Sequence, residues 1–225
     1  MRRSWRRRRT CGLKRARSWR ITLLRINEPT PLQLKFSRLL PSVVLASSSP
    51  NRKKLLESGG STVYTFSPEA DESTDNLSIE EAMVKNARVK MEAYLSSSFF
   101  RQERVAISAD TLVHLDSYLL GKPKNLEDAE RILRMLSGRT QEVLTGCGLY
   151  IPGRGTEFFL DRASVVFKTL KDGEIRDYLK TGEWQGAAGA YRLQKTGWKL
   201  VETISGDWTT VVGLPLERII ERITR

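Results

Sequence analysis

Asp110 is the residue in this chain whose setting most demands an explanation. It stands inside the apolar run Val105–Val113, VAISADTLV. A carboxylate there is costly unless it is paired or binds a cation. The ends of strands are also where α/β proteins place catalytic groups. Asp110 therefore reads as a catalytic group or metal ligand, or as a buried acid paired with Arg or Lys. Lys122, in the turn GKPKN, could meet a phosphate as a point charge and reads equally as a turn lysine in solvent. Glu72, in the acidic stretch PEADESTDN, offers a second carboxylate to a cation, although surface acids are commonplace. Lys90 carries little signal alone. The stretch GAAGAYRLQ, residues 186–194, lets backbone approach a ligand closely, with Tyr191 and Gln194 available for stacking and amide hydrogen bonds. Together these residues suggest a phosphate-bearing substrate.

A strand and a helix must position the anion-binding part. Val43–Ala46 is an apolar run followed by Ser47, Ser48 and Ser49, then Pro50 and a basic segment ending at Gly59 and Gly60. Ser49 suits a helix N-cap, Pro50 the first helical position and the glycines the stop. A strand feeding a serine-lined turn into a helix start directs backbone N–H groups and the positive dipole end outward, as an anion site requires. An ordinary capped βα turn has the same pattern.

The charge of +12 divides unevenly. Residues 1–40 hold 13 Lys and Arg against the single acid Glu28, whereas the remaining chain holds 25 basic and 25 acidic residues. Residues 1–40 thus read as a basic N-terminal extension, disordered or upstream of the native start, and residues 41–225 as the folded domain. Nucleic acid is expected as a partner only through that arm; a transit-like segment or partner-binding tail would share its composition. No apolar run approaches the ~20 residues of a membrane span. Cys11 and Cys147 lie far apart and fit no metal spacing, which suggests a reducing, cytoplasmic setting. With one histidine, His114, any metal would be a hard cation held by carboxylates and water.

The pattern along the domain predicts strands at 62–67, 105–113, 143–151, 157–168 and 198–204. It predicts helices at 77–95, 126–137 and 175–181, with a closing amphipathic helix in VVGLPLERIIERI. In the 77–95 helix, Ser78 is the cap and Ala82, Ala87, Val89 and Ala93 form the apolar stripe, with Lys90 standing off it. The fold class is α/β, a mixed twisted sheet with flanking helices.

The segments LASSSPNRKKLL, SADTLV, GKPKN with LSGRTQEVLTG, GEWQGAAGAYRLQ and VVGLPL follow one another from Val43 to the C-terminus. In this order they resemble the Maf family of nucleoside triphosphate pyrophosphatases. The resemblance implies two lobes around a central cleft, a fold related to the inosine-triphosphate pyrophosphatases. It implies hydrolysis of a nucleoside triphosphate to the monophosphate and pyrophosphate with a divalent cation, Mg²⁺ or Mn²⁺, and a homodimer is common in the family. By the same resemblance, Ser47 and Arg52 match the phosphate-binding turn, Asp110 the catalytic proton acceptor and Lys122 the loop lysine. Glu72 resembles the metal-binding glutamate, which would share the cation with Asp110, and Lys90 the lysine of an AxxK helix. Thr111 and Gln194 look like the subgroup acting on dTTP and UTP.

Several positions depart from the family pattern. Asn51 replaces the first Arg of SPRR, a specificity position; Gln141 replaces a His; Ala187 replaces a Lys; Trp208 and Thr210 replace Tyr and Asn. The rival reading is a nucleotide-binding protein with eroded catalysis that acts through partners in cell division.

Overall fold

The computed structural model describes residues 18–20, 28–69, 77–116 and 118–225. Glu72, Cys11 and most of the basic arm lie outside the described residues, and the expectations placed on them lie there too. An eight-stranded sheet runs β1 (Ser18–Arg20), β8 (Val201–Ser205), β7 (Gly155–Phe167), β6 (Thr140–Ile151), β4 (Ala106–Leu115), β2 (Ser42–Ala46), β3 (Thr62–Phe66), with β5 (Tyr118–Leu120) paired to β4. β2 is parallel to β3 and β4; the other pairings are antiparallel. This is the mixed sheet with flanking helices that the sequence predicts.

Strand alternation sorts the core onto two faces. In β4, Ile107, Ala109, Val113 and Leu115 join the main core. That core also takes buried side chains of α1 (Pro31–Leu39), α2 (Pro50–Glu57), α4 (Leu126–Leu136), α5 (Asp172–Lys180), α6 (Trp208–Val212) and α7 (Leu216–Ile223). The intervening β4 residues face α3 (Ile79–Leu95): Ala106 packs with Met91 and Tyr94, and Ser108 Oγ donates to the Ala87 carbonyl at 2.6 Å. Asp110 shares that face.

Three sequence expectations change. The folded domain begins before residue 41: α1 buries Gln33 and Phe36, and Leu40 joins the core. Thr30 and Gln33 close a capping box, Pro31 fills the first turn, and Leu32, Phe36 and Leu40 recur at helical spacing. The high charge of residues 1–40 conceals this short pattern when they are averaged together. The predicted strand at 198–204 starts only at Val201, because Thr196–Leu200 forms a 3-10 turn. In α3 the buried side is Ala82, Met83, Asn86, Ala87, Lys90, Met91 and Tyr94, while Val89 and Ala93 are only half-buried. Lys90 is therefore on the packed face, not off it.

Candidate active site

β2 ends its pairing at Ala46 with Ser108, while β4 runs on to Leu115. A cleft of about 370 Å³ opens there. It is lined by Ser47 to Arg52, Lys90, Asp110, Lys122, residues 186–188, Tyr191 to Gln194, Val211 and Val212. This is the cleft that the resemblance implies.

The serine turn is fixed from inside. Ser47 is buried, and its hydroxyl accepts hydrogen bonds from the Ser49 amide at 3.2 Å and Arg52 Nη1 at 2.8 Å. Ser49 holds the N-cap position of α2, but its hydroxyl makes no capping bond. Arg52 is 8% exposed. Its Nη1 also donates to the Ala109 carbonyl at 2.8 Å, its Nη2 to Thr111 Oγ1 at 3.0 Å and its Nε to the Gly213 carbonyl at 2.9 Å. Arg52 thus ties the turn, β4 and the bend after α6 together. Gly213 sits at φ 114°, and a Cβ there would fall 3.0 Å from Arg52 Nε, so both backbone and space require glycine. Thr111 lines the cleft, with its hydroxyl also bonded to Thr145 Oγ1 at 2.9 Å.

Asp110 is clamped from α3. Lys90 Nζ donates to Oδ1 at 2.8 Å and Asn86 Nδ2 to Oδ2 at 2.9 Å. The carboxylate nevertheless keeps 18% of its side-chain surface open at the cleft. Lys122 is exposed on the turn after β5, where the Gly121 carbonyl accepts from the Gly189 amide at 3.2 Å. That bond joins the GKPKN turn to the 186–194 loop.

Within this loop Tyr191 is buried. Its ring meets Phe167 edge-on, and its hydroxyl accepts from Gln141 Nε2 at 2.5 Å. Burial drives the Tyr191 phenol well above its ordinary pKa. Its ring is thus committed to packing rather than to stacking on a ligand. Gln194 and Asn51 are half-buried and line both the cleft and an adjoining cavity of about 890 Å³, which Trp198 and Trp208 also border.

Ser47, Asn51, Arg52, Lys90, Asp110, Thr111, Lys122 and Gln194 therefore all reach one cleft. Asn86 is a site residue that the sequence does not single out. Its only signal is the i,i+4 spacing to Lys90 on one helix face. For a cation, the cleft offers hard carboxylate oxygen from Asp110, but no group of three His, Cys, Asp or Glu converges among the described residues. That donor set suits an ion shared with a phosphate ligand rather than a closed protein cage.

Among known proteins, the chain is 40% identical over 183 residues to a dTTP/UTP pyrophosphatase of Geobacter sp. (strain M21), covering 81% of this chain and 94% of the relative. It is 42% identical over 179 residues to a dTTP/UTP pyrophosphatase of Shewanella denitrificans, covering 77% and 90%. A solved structure, the Staphylococcus aureus Ham1 protein, aligns with a TM-score of 0.36 and 18% identity over 58% of this chain and 73% of that one. The family model described as Maf-like protein matches residues 42–225. With that match and these relatives, the chain belongs to the Maf family.

Proposed function

We propose that this protein hydrolyses a nucleoside triphosphate, dTTP or UTP foremost, between its α- and β-phosphates, releasing the monophosphate and pyrophosphate. The observation that carries this reading is the Asp110 carboxylate, open to the cleft and gripped at both oxygens, in the same cavity as the serine turn and Lys122. The activity for which these relatives are named, dTTP/UTP pyrophosphatase, supplies the substrate class.

In this reading Asp110 takes the proton from the water that attacks the α-phosphorus. The Ser47–Ser49 turn and the start of α2 receive the phosphates, which need preorganised donors in a water-poor cleft. Lys122 enters as a mobile point charge toward the leaving pyrophosphate. Lys90 and Arg52 act mainly through the groups they hold, Asp110 and Ser47 respectively. A divalent cation, Mg²⁺ or Mn²⁺, would be held by Asp110 with Glu72 and would withdraw charge from the phosphoryl oxygens. Asn51 and Gln194, at the wall shared with the second cavity, stand where they can sort the base. The reading places the protein in the cytoplasm, in keeping with Cys147 as a buried free thiol. Among the described residues no helix is long and apolar enough to cross a membrane.

The test is pyrophosphate release by the purified full chain from dTTP, UTP, CTP and base-modified triphosphates, with Mg²⁺ and with Mn²⁺. Stoichiometric pyrophosphate and monophosphate from at least one of them is expected. Nucleotide binding without pyrophosphate from any of them would favour the eroded, partner-acting protein instead.

A further inference from the structure

Asn86 is badly placed for anything except Asp110. It lies in the middle of α3, where asparagine is a weak helix former and no cap is needed. It is 4% exposed, on the same face as Ala82, Met83, Ala87 and Met91, where an apolar side chain would suit the packing. Its Oδ1 is buried and meets no donor among the described residues. A buried acceptor without a partner costs stability. Among the described residues, the one bond its side chain makes runs from Nδ2 to Asp110 Oδ2. The opposite amide orientation would set Oδ1 against that carboxylate oxygen, so the bond fixes the assignment.

We infer that Asn86 is a positioning residue that sets the plane of the Asp110 carboxylate. A single contact from Lys90 to Oδ1 leaves rotation about the Cβ–Cγ bond of Asp110 weakly restrained, because that torsion has a broad minimum. A second donor on Oδ2 stops the rotation and holds the remaining lone pairs toward the cleft. Both donors descend from one helix, one turn apart. That helix is seated by Gly146, paired with Asp110 across the sheet, where a Cβ would fall 2.1 Å from the Met83 carbonyl oxygen. The amide is retained at the expense of packing because it serves the site. This inference rests on Asp110 being the reacting base.

The test compares wild type with Asn86→Leu and Asn86→Asp in the full chain. For Asn86→Leu, kcat is expected to fall ~10-fold, the usual range for a group that orients a reacting one, while KM moves less than ~2-fold. Its thermal midpoint is expected to equal or exceed that of wild type, since a buried unpaired acceptor has gone. Its crystal structure is expected to show the Asp110 carboxylate turned about χ2. Asn86→Asp, the same shape without the donor, is expected to lose at least as much kcat. A wild-type kcat in Asn86→Leu, an unmoved carboxylate, or kcat and thermal midpoint falling together would each overturn the inference. Should wild type release no pyrophosphate, the functional reading fails separately, and the carboxylate's orientation and the thermal midpoints still decide what Asn86 does.

Discussion

Arg52 and Gly213, 161 residues apart in the chain, meet at 2.9 Å through Nε and a backbone carbonyl. The same guanidinium grips Ser47, Ala109 and Thr111, so one side chain fixes the serine turn against β4 and the C-terminal segment. A lysine would keep the charge but not the planar fork. Arg52→Lys is expected to lower unfolding free energy by about 3 kcal/mol, the scale of losing several buried charge-assisted bonds, and turnover should fall with it. Urea unfolding and steady-state kinetics check this. Unchanged stability would mean that the fork is dispensable.

Gly146→Ala tests how α3 is seated. The new methyl would overlap the Met83 carbonyl, a backbone group that can yield only if the helix shifts. Overpacking of this kind costs roughly 3 kcal/mol. Moving α3 also draws Asn86 and Lys90 away from Asp110, so kcat should drop more than KM rises. Denaturation and kinetics that both match wild type would contradict this seating.

Asp207 predicts a pH dependence of stability. Its Oδ1 accepts from the Thr209 amide, and its Oδ2 from Thr209 Oγ1 and the Glu217 amide, so it joins the starts of α6 and α7. Burial nevertheless pushes its pKa up to about 6 from the ordinary 3.8. The folded state then holds this proton more tightly than the unfolded chain. Its contribution is full below about pH 3.8 and is lost as pH rises through 6. The whole change amounts to roughly 3 kcal/mol. Urea unfolding from pH 4 to 8 should show wild type losing stability relative to Asp207→Asn until about pH 6.5, and a flat difference beyond. A difference independent of pH throughout would refute it.

The elements are more legible in the sequence than their contacts. The apolar run 105–113 forms β4 and leaves Asp110 conspicuous, because an acid in such a run has few innocent explanations. Ser78, Glu80 and Glu81 mark the start of α3 correctly, since capping is local chemistry. The inner face of α3 is hard to read because polar Asn86 and Lys90 lie on it, and their partner is 20 to 24 residues away. Arg52 looks like a phosphate ligand in its local motif, yet three of its four described acceptors come from distant strands and turns. Tyr191 looks available in a glycine-rich loop, and only the packing of Phe167 and Gln141 commits it elsewhere.

The proposed mechanism turns on the Asp110 carboxylate as the base that activates water. Asp110→Asn keeps an oxygen for Lys90 and the shape of the side chain, and removes the basic group. Measured by pyrophosphate release at saturating nucleotide and cation, its kcat is predicted to fall at least ~100-fold, with an unaltered circular dichroism spectrum. Turnover near that of wild type in the folded variant would contradict the account.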